Sequence, residues 1–325
     1  MQRRHFLKMS ISASLATVAV GTQAQESSPI KLLVGFAPGG VTDLFARLCA
    51  ERIQSELGKT VIVENRPGAH GRMATQALKA SAANSHTFLI SPNAGLVFLE
   101  LLFSRAALGY DMLTDLTPVA ALSTYPLGMV VNSSTGVTNA KEYVQWVKAN
   151  PGKGIFGTSG AGSHTHFAGM RLAEAAGIKL EVVPYKGNSA VNIDLLGGQI
   201  PAASMAASDF LHHKDNPKVK IIGVFGQKRS SLAPDVPTFT EQGFDAVAGD
   251  AWMGMWTSKN TPASEVQAMS AALEKISKSP EFISALKTKM TMAPMYRNSK
   301  EMDQLQRAEL AMWRPIIART GFKPE

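Results

Sequence analysis

Twice in this chain an apolar run of strand length breaks at a glycine-rich turn and resumes at helical spacing. The two stretches are "IKLLVGFAPGGVTDLFARLCAERIQSELG" at 30–58 and "GIFGTSGAGSHTHFAGMRLAEAAG" at 154–177. A continuous apolar strand is covered on both faces, and a strand followed directly by a helix belongs to a parallel sheet flanked by helices. All-β and all-helical folds are therefore excluded early. The first helix shows Leu44, Leu48, Ile53 and Leu57 at helical spacing before its Gly58 stop.

The rest of the chain extends the alternation. "TVIVENRPG" and "HTFLISPNAG" read as buried strands with the helix "MATQALKASAA" between them, and "LEVVPYKG" and "VKIIGVFG" read as strands around the helix "SAVNIDLLGG". Helices punctuated by Pro262 and Pro280 follow, and "KEMDQLQRAELAMWRPIIART" closes the chain with another. "DLTPVAALSTYPLGMVVN" and "AVAGDAWMGMWTS" are β-rich and lead into no helix. They are the expected passages between two units. The expected organisation is a discontinuous first domain at 25–124 and 250–325, with a second domain at 125–249.

Residues 1–24 read as a signal peptide: a basic start with Arg3-Arg4 and Lys8, a short apolar run, and a small residue at Ala24. The arginine pair also fits a twin-arginine signal, with a plain secretory signal as the alternative. Export to the periplasm is the expectation. The formal charge of +8 falls to about +5 without those three residues, and no basic run is interleaved with aromatics. Nucleic-acid binding is thereby set aside. Cys49 is the single cysteine, so no internal disulfide can form, and its place on the first helix marks a buried thiol.

The glycine turns carry the functional signal. Gly39-Gly40 and Gly160-Ala161-Gly162 let a ligand approach the backbone where the first amides of a helix lack internal partners. With the helix dipole, such a start attracts an anion. Thr42, Asp43 and Ser163 are capping types. Neither nucleotide fingerprint is present, because "GFAPGG" lacks the dinucleotide spacing and no phosphate-loop lysine follows. "GTSGAG" misses the nucleophile elbow by one residue. His164 and His166 have no third metal ligand at a recognised spacing, and His212-His213 lie in a polar stretch. No metal and no cofactor are expected.

"FAPGGVTDLFAR", "VIVENRPGA", "SGAGSHTHFAG", "VPYKG", "DLLGGQI" and "RSSLAPDVPTFTEQGF" stand in this order. Together they resemble the Bug family, the periplasmic solute-binding receptors of tripartite tricarboxylate transporters. The resemblance implies an α/β, two-domain periplasmic binding-protein fold (type II-like) with a ligand cleft between the domains. It places Phe36, Pro38, Gly39, Gly40, Thr42 and Asp43 on a first cleft loop, and Gly160, Gly162, Ser163 and His166 on a second. Tyr185, Lys186 and Gly187 match the "YKG" segment, and Trp252 matches an aromatic position on the returning crossover. The pattern departs at Met205-Ala206, where many relatives carry an acid and Asn, which favours a carboxylate with an apolar or aromatic body. "RPGAHGRM" also departs, placing His70 and Arg72 at the rim.

The expected function is capture of a small carboxylate by hinge closure, without catalysis, and its delivery by a monomeric receptor to membrane permease subunits. Two rivals stay open on the sequence. One is a ligand-sensing subunit of a membrane kinase. The other is an α/β serine hydrolase using Ser159 or Ser163 with His166.

Overall fold

A computed structural model describes residues 28–323; the signal segment read at 1–24 lies outside the described residues. The chain begins β1 (Ile30–Val34), α1 (Val41–Leu57), β2 (Val61–Asn65), α2 (Arg72–Lys79), β3 (Thr87–Pro92) and α3 (Val97–Leu102). Two short turns, α4 (Arg105–Leu108) and α5 (Met112–Asp115), lead into β4 (Leu116–Tyr125). Then come β5 (Leu127–Asn132), α6 (Ala140–Ala149), β6 (Ile155–Thr158), α7 (His164–Ala176), β7 (Glu181–Pro184) and α8 (Asn188–Leu196). They are followed by β8 (Ala202–Ala206), α9 (Ala207–Phe210) and β9 (Val219–Val224). The chain closes with β10 (Ala251–Ser258), α10 (Ala263–Lys278), α11 (Pro280–Met290), β11 (Ala293–Asn298) and α12 (Ser299–Thr320).

These strands form two sheets, in the orders β11-β4-β10-β3-β1-β2 and β7-β6-β8-β5-β9. In the first, β1 runs parallel to β2 and β3, and β10 is antiparallel to both β3 and β4. In the second, β6 runs parallel to β7 and β8, while β5 is antiparallel to β8 and β9. The chain passes between sheets twice, from Tyr125 to Leu127 and from β9 to β10.

The register fixes where those passages lie. Tyr125 pairs with Ala251, and Met253 pairs with Pro92, the last residue of β3. Both passages therefore leave the first sheet at the C-terminal edge of its parallel strands. Leu127 pairs with Ala206, the last residue of β8, and Val224 pairs with Gly128. Both passages reach the second sheet at its C-terminal edge too. The two C-terminal edges are thus joined to each other, which is where open α/β sheets bind ligands.

Local details refine the sequence reading. Gly58 ends α1 in the left-handed conformation, as its type suggests. The buried face of α1 is Phe45, Ala46, Cys49, Ala50 and Ile53, while Leu44 is 45% exposed, so the apolar stripe is turned from the expected one. β2 was expected as a buried strand but lies at a sheet edge and is half covered, as is β7 at the edge of the second sheet. β11, which the sequence did not announce, extends the first sheet beside β4. Three apolar clusters make the core, and the largest continues from the first sheet into the second.

Candidate functional site

The loop 35–40 leaves β1 at the C-terminal edge and opens α1. Gly35 passes so close to the Gly71 backbone that a Cβ there would collide, and Gly39 has φ +80°. Both positions require glycine. Gly40 is the N-cap of α1 without any side-chain cap, so Thr42 and Asp43 do not cap as expected. Asp43 instead turns back, accepting from the Gly39 amide at 2.9 Å, from Arg47 Nε at 2.9 Å and from Asn65 Nδ2 at 2.9 Å. Burial alone would raise its carboxyl pKa, yet those donors together hold it below the usual carboxylate range. Asn65 Nδ2 also donates to the Phe36 carbonyl. The loop is therefore pinned from behind. Among the described residues, the amides of Val41, Thr42 and Asp43 donate to nothing.

The second loop leaves β6 and opens α7. Ser163 caps it, its Oγ accepting from the His166 amide at 3.2 Å and donating to the Gly160 carbonyl at 2.8 Å. The Gly162 amide donates to His166 Nδ1 at 3.0 Å, which fixes the tautomer with the proton on Nε2. Burial pushes the His166 pKa down to about 4, so the ring is neutral near pH 7. Thr158 and Thr165, which the sequence reading did not single out, join Ser163 in a hydroxyl cluster, with Ser163 to Thr165 at 3.0 Å and Thr158 to Thr165 at 2.5 Å. The amides of His164 and Thr165 have no partner among the described residues.

A third helix start lies against the second. The Gly187 amide donates to the Ser159 carbonyl at 3.1 Å, which stitches the two loops together, and Gly187 at φ +99° caps α8. Tyr185 does not face a guest through its hydroxyl, which donates to Asp194 at 2.7 Å. Lys186 is exposed and Pro38 is exposed, while Phe36 packs beside Gly71 and Gly95.

Two expected contacts are enclosed. Trp252 is 2% exposed, stacked on Trp256, with its Nε1 donating to Glu309 at 2.7 Å. Met205 is fully buried in the core of the second sheet. Neither presents a surface to a cleft. Arg72 donates to the Ala107 carbonyl and lies over the Phe103 ring, so it is occupied away from the loop. His70 stands exposed with φ +56°, a strained backbone for a non-glycine residue.

No catalytic relay is assembled: Ser163 Oγ bonds the backbone, and the His166 ring bonds an amide and stacks on Phe167. His164 Nε2 is at 3.0 Å from the Ala248 carbonyl, and among the described residues no three metal-capable side chains gather. The position of the second loop against the first sheet is set by packing. Gly162 abuts Leu102 and Phe322, and Phe98 of α3 stacks with Phe167 of α7. Gly95, at the start of that same segment, abuts Phe36. Residues 95–102 thus join the two glycine loops, touching Phe36 of the first at Gly95 and Gly162 of the second at Leu102. No described helix is long and apolar enough to cross a membrane.

The family model described as "Tripartite tricarboxylate transporter family receptor" matches residues 45–322. A UPF0065 protein in the gbd 5' region of Cupriavidus necator is 30% identical over 330 residues, covering 99% of each chain. The solved periplasmic binding protein BugD superposes with a TM-score of 0.75 at 27% identity, over 91% of this chain and 99% of its own. An R. palustris protein solved with adipate gives 0.78 at 24% identity over 91% and 98%, a likeness of fold.

Proposed function

The chain belongs to the tripartite tricarboxylate transporter receptor family, periplasmic solute-binding receptors and not enzymes, and from that premise we propose that it captures a small carboxylate between two lobes. The lobes are residues 28–124 with 250–323, and residues 125–249. The guest bridges the start of α1 on one lobe and the starts of α7 and α8 on the other, and stabilises the shut arrangement over an open one. Phe36, Pro38, Gly39, Gly40, Thr42 and Asp43 form one wall, the amides of residues 41–43 serving as donors. Gly160, Gly162, Ser163, His166 and Gly187 form the other. Lys186 supplies a positive rim charge.

One observation carries this reading: both passages between sheets connect C-terminal edges, so the open helix starts share one junction. The adipate in the R. palustris protein of this fold carries the kind of carboxylate group such donors suit. We further propose that residues 1–24 direct export, that the receptor acts as a monomer, and that it hands its guest to membrane permease subunits. A pull-down from membranes that recovers a sensor kinase instead would overturn the last of these.

The test is a thermal-shift screen of small carboxylates against their uncharged amides. A guest at about 100 times its Kd adds about 2.7 kcal/mol, which is a rise of roughly 5 °C or more for a chain of this size. The acids are expected to give that rise and the amides none. Equal rises from acid and amide would overturn the anion site.

A further inference from the structure

We propose that Asp209 acts as a charge filter in this cleft, selecting a monocarboxylate whose far end carries a hydrogen-bond donor, hydroxyl or ammonium, and turning away a second negative charge. The inference rests on the carboxylate-cleft reading and narrows its guest.

Asp209 lies in α9, which follows β8 without a break, so it stands on the same C-terminal edge as the starts of α7 and α8. Its Oδ2 accepts from Asn188 Nδ2 at 2.6 Å and from Ser208 Oγ at 3.3 Å, and Asn188 is the first residue of α8. Its Oδ1 accepts no hydrogen bond among the described residues, and it is not shut off from solvent. No lysine or arginine pairs with it among the described residues. Burial pushes its carboxyl up to about 6, and the Ser208 hydrogen bond and His212 only partly oppose that.

Tyr125, the last residue of β4, approaches from the other sheet. Burial and then the charge of Asp209 raise its phenol pKa, which puts the two groups in each other's field. The Tyr125 side chain packs against all three apolar clusters, and its hydroxyl has no hydrogen-bond partner among the described residues. A carboxylate oxygen without a hydrogen bond and a buried phenol, from opposite sheets, therefore stand at the same junction as the amide-rich helix starts. The residues just before α9, Met205 and Ala206, bring no charge that would compensate.

The physical consequence follows from the missing cation. A carboxylate drawn partly out of water without a cation beside it is unfavourable, and a donor that reaches Oδ1 relieves it. A second carboxylate at that place would meet a like charge in a medium less polarisable than water. The guest held by its carboxylate at α1 and α7 is thus sorted by what its other end offers.

Calorimetric titration of wild-type and D209N proteins tests this with straight-chain acids of four and six carbons, each unsubstituted, ω-hydroxylated, ω-aminated, or as the dicarboxylate. In the wild type the best donor-ended acid is expected to bind at least tenfold tighter than the dicarboxylate of equal length. In D209N that preference is expected to shrink at least tenfold, mainly by a gain for the dicarboxylate, while the unsubstituted acid is unchanged. A dicarboxylate that binds the wild type as tightly as the donor-ended acid overturns the proposal, as does an unaltered ranking in D209N. If D209N fails to fold, the wild-type ranking decides alone. If no acid binds either protein, the carboxylate-cleft reading itself falls, and this narrowing with it.

Discussion

Gly40 separates conformational need from access. A Cβ at Gly39 would force a left-handed backbone on a residue that resists it, whereas at Gly40 the backbone is extended and a Cβ meets only the Ala37 carbonyl, at 3.4 Å. Gly40→Val is therefore expected to leave the melting temperature within about 2 °C while abolishing carboxylate binding, because its methyls enter the space before the α1 amides. Unchanged affinity in a calorimetric titration would reduce the loop to a tight turn. Residue type made both glycine loops legible in the sequence, since few other residues suit such turns. It did not foresee the burial of Trp252: β10 is a central strand covered on both faces, and the indole stacks on Trp256 and donates to Glu309. It was silent at Asp209, because an acid near a loop usually faces water and nothing local shows that β8 aims this one inward.

Strands and helices were readable from apolar spacing, but their neighbours were not. An apolar run of five residues looks the same at an edge as at the centre, which is why β2 was read as buried. The network that holds the loop after β3 is a further case, built from residues far apart in the chain. Glu309 of α12 accepts from Asn93 Nδ2 at 3.1 Å and from Trp252 Nε1 at 2.7 Å, with no cation beside it among the described residues. Burial pushes its pKa up to about 7, against the pull of Asn93 and Trp252. A carboxyl raised on folding contributes stability below its unfolded value of about 4.5 that is lost as pH rises through about 7. Glu309→Gln carries no charge at any pH. Relative to wild type it is expected to gain about 2.5 kcal/mol between pH 5 and pH 8 in urea denaturation. Parallel stability curves for the two proteins would show that this acid is not strained by burial.

At the scale of the molecule, two sheets are joined at one edge and sealed along one flank. The flank is the seam of α3, α7 and α12, where Phe98, Phe167 and Trp313 pack together and Arg319 reaches Glu174 at 2.7 Å. The start of α7 itself lies in that seam, where Gly162 abuts Leu102 and Phe322, so any opening between the lobes has to loosen those contacts. The sequence reading put the passages in two β-rich stretches expected to lead into no helix; the chain changes sheets at Tyr125–Leu127 and between β9 and β10, and α10 does follow β10. The seam was not legible, because aromatic spacing on α7 and α12 gives no sign that those helices meet. The central claim is that amides from both lobes hold one carboxylate. It is tested most directly by following backbone amide resonances while titrating the best-stabilising acid. Val41 and Thr42 on one lobe, and His164 and Thr165 on the other, are expected to shift together with a single Kd. Shifts confined to one lobe, or two sets with different affinities, would contradict a shared guest.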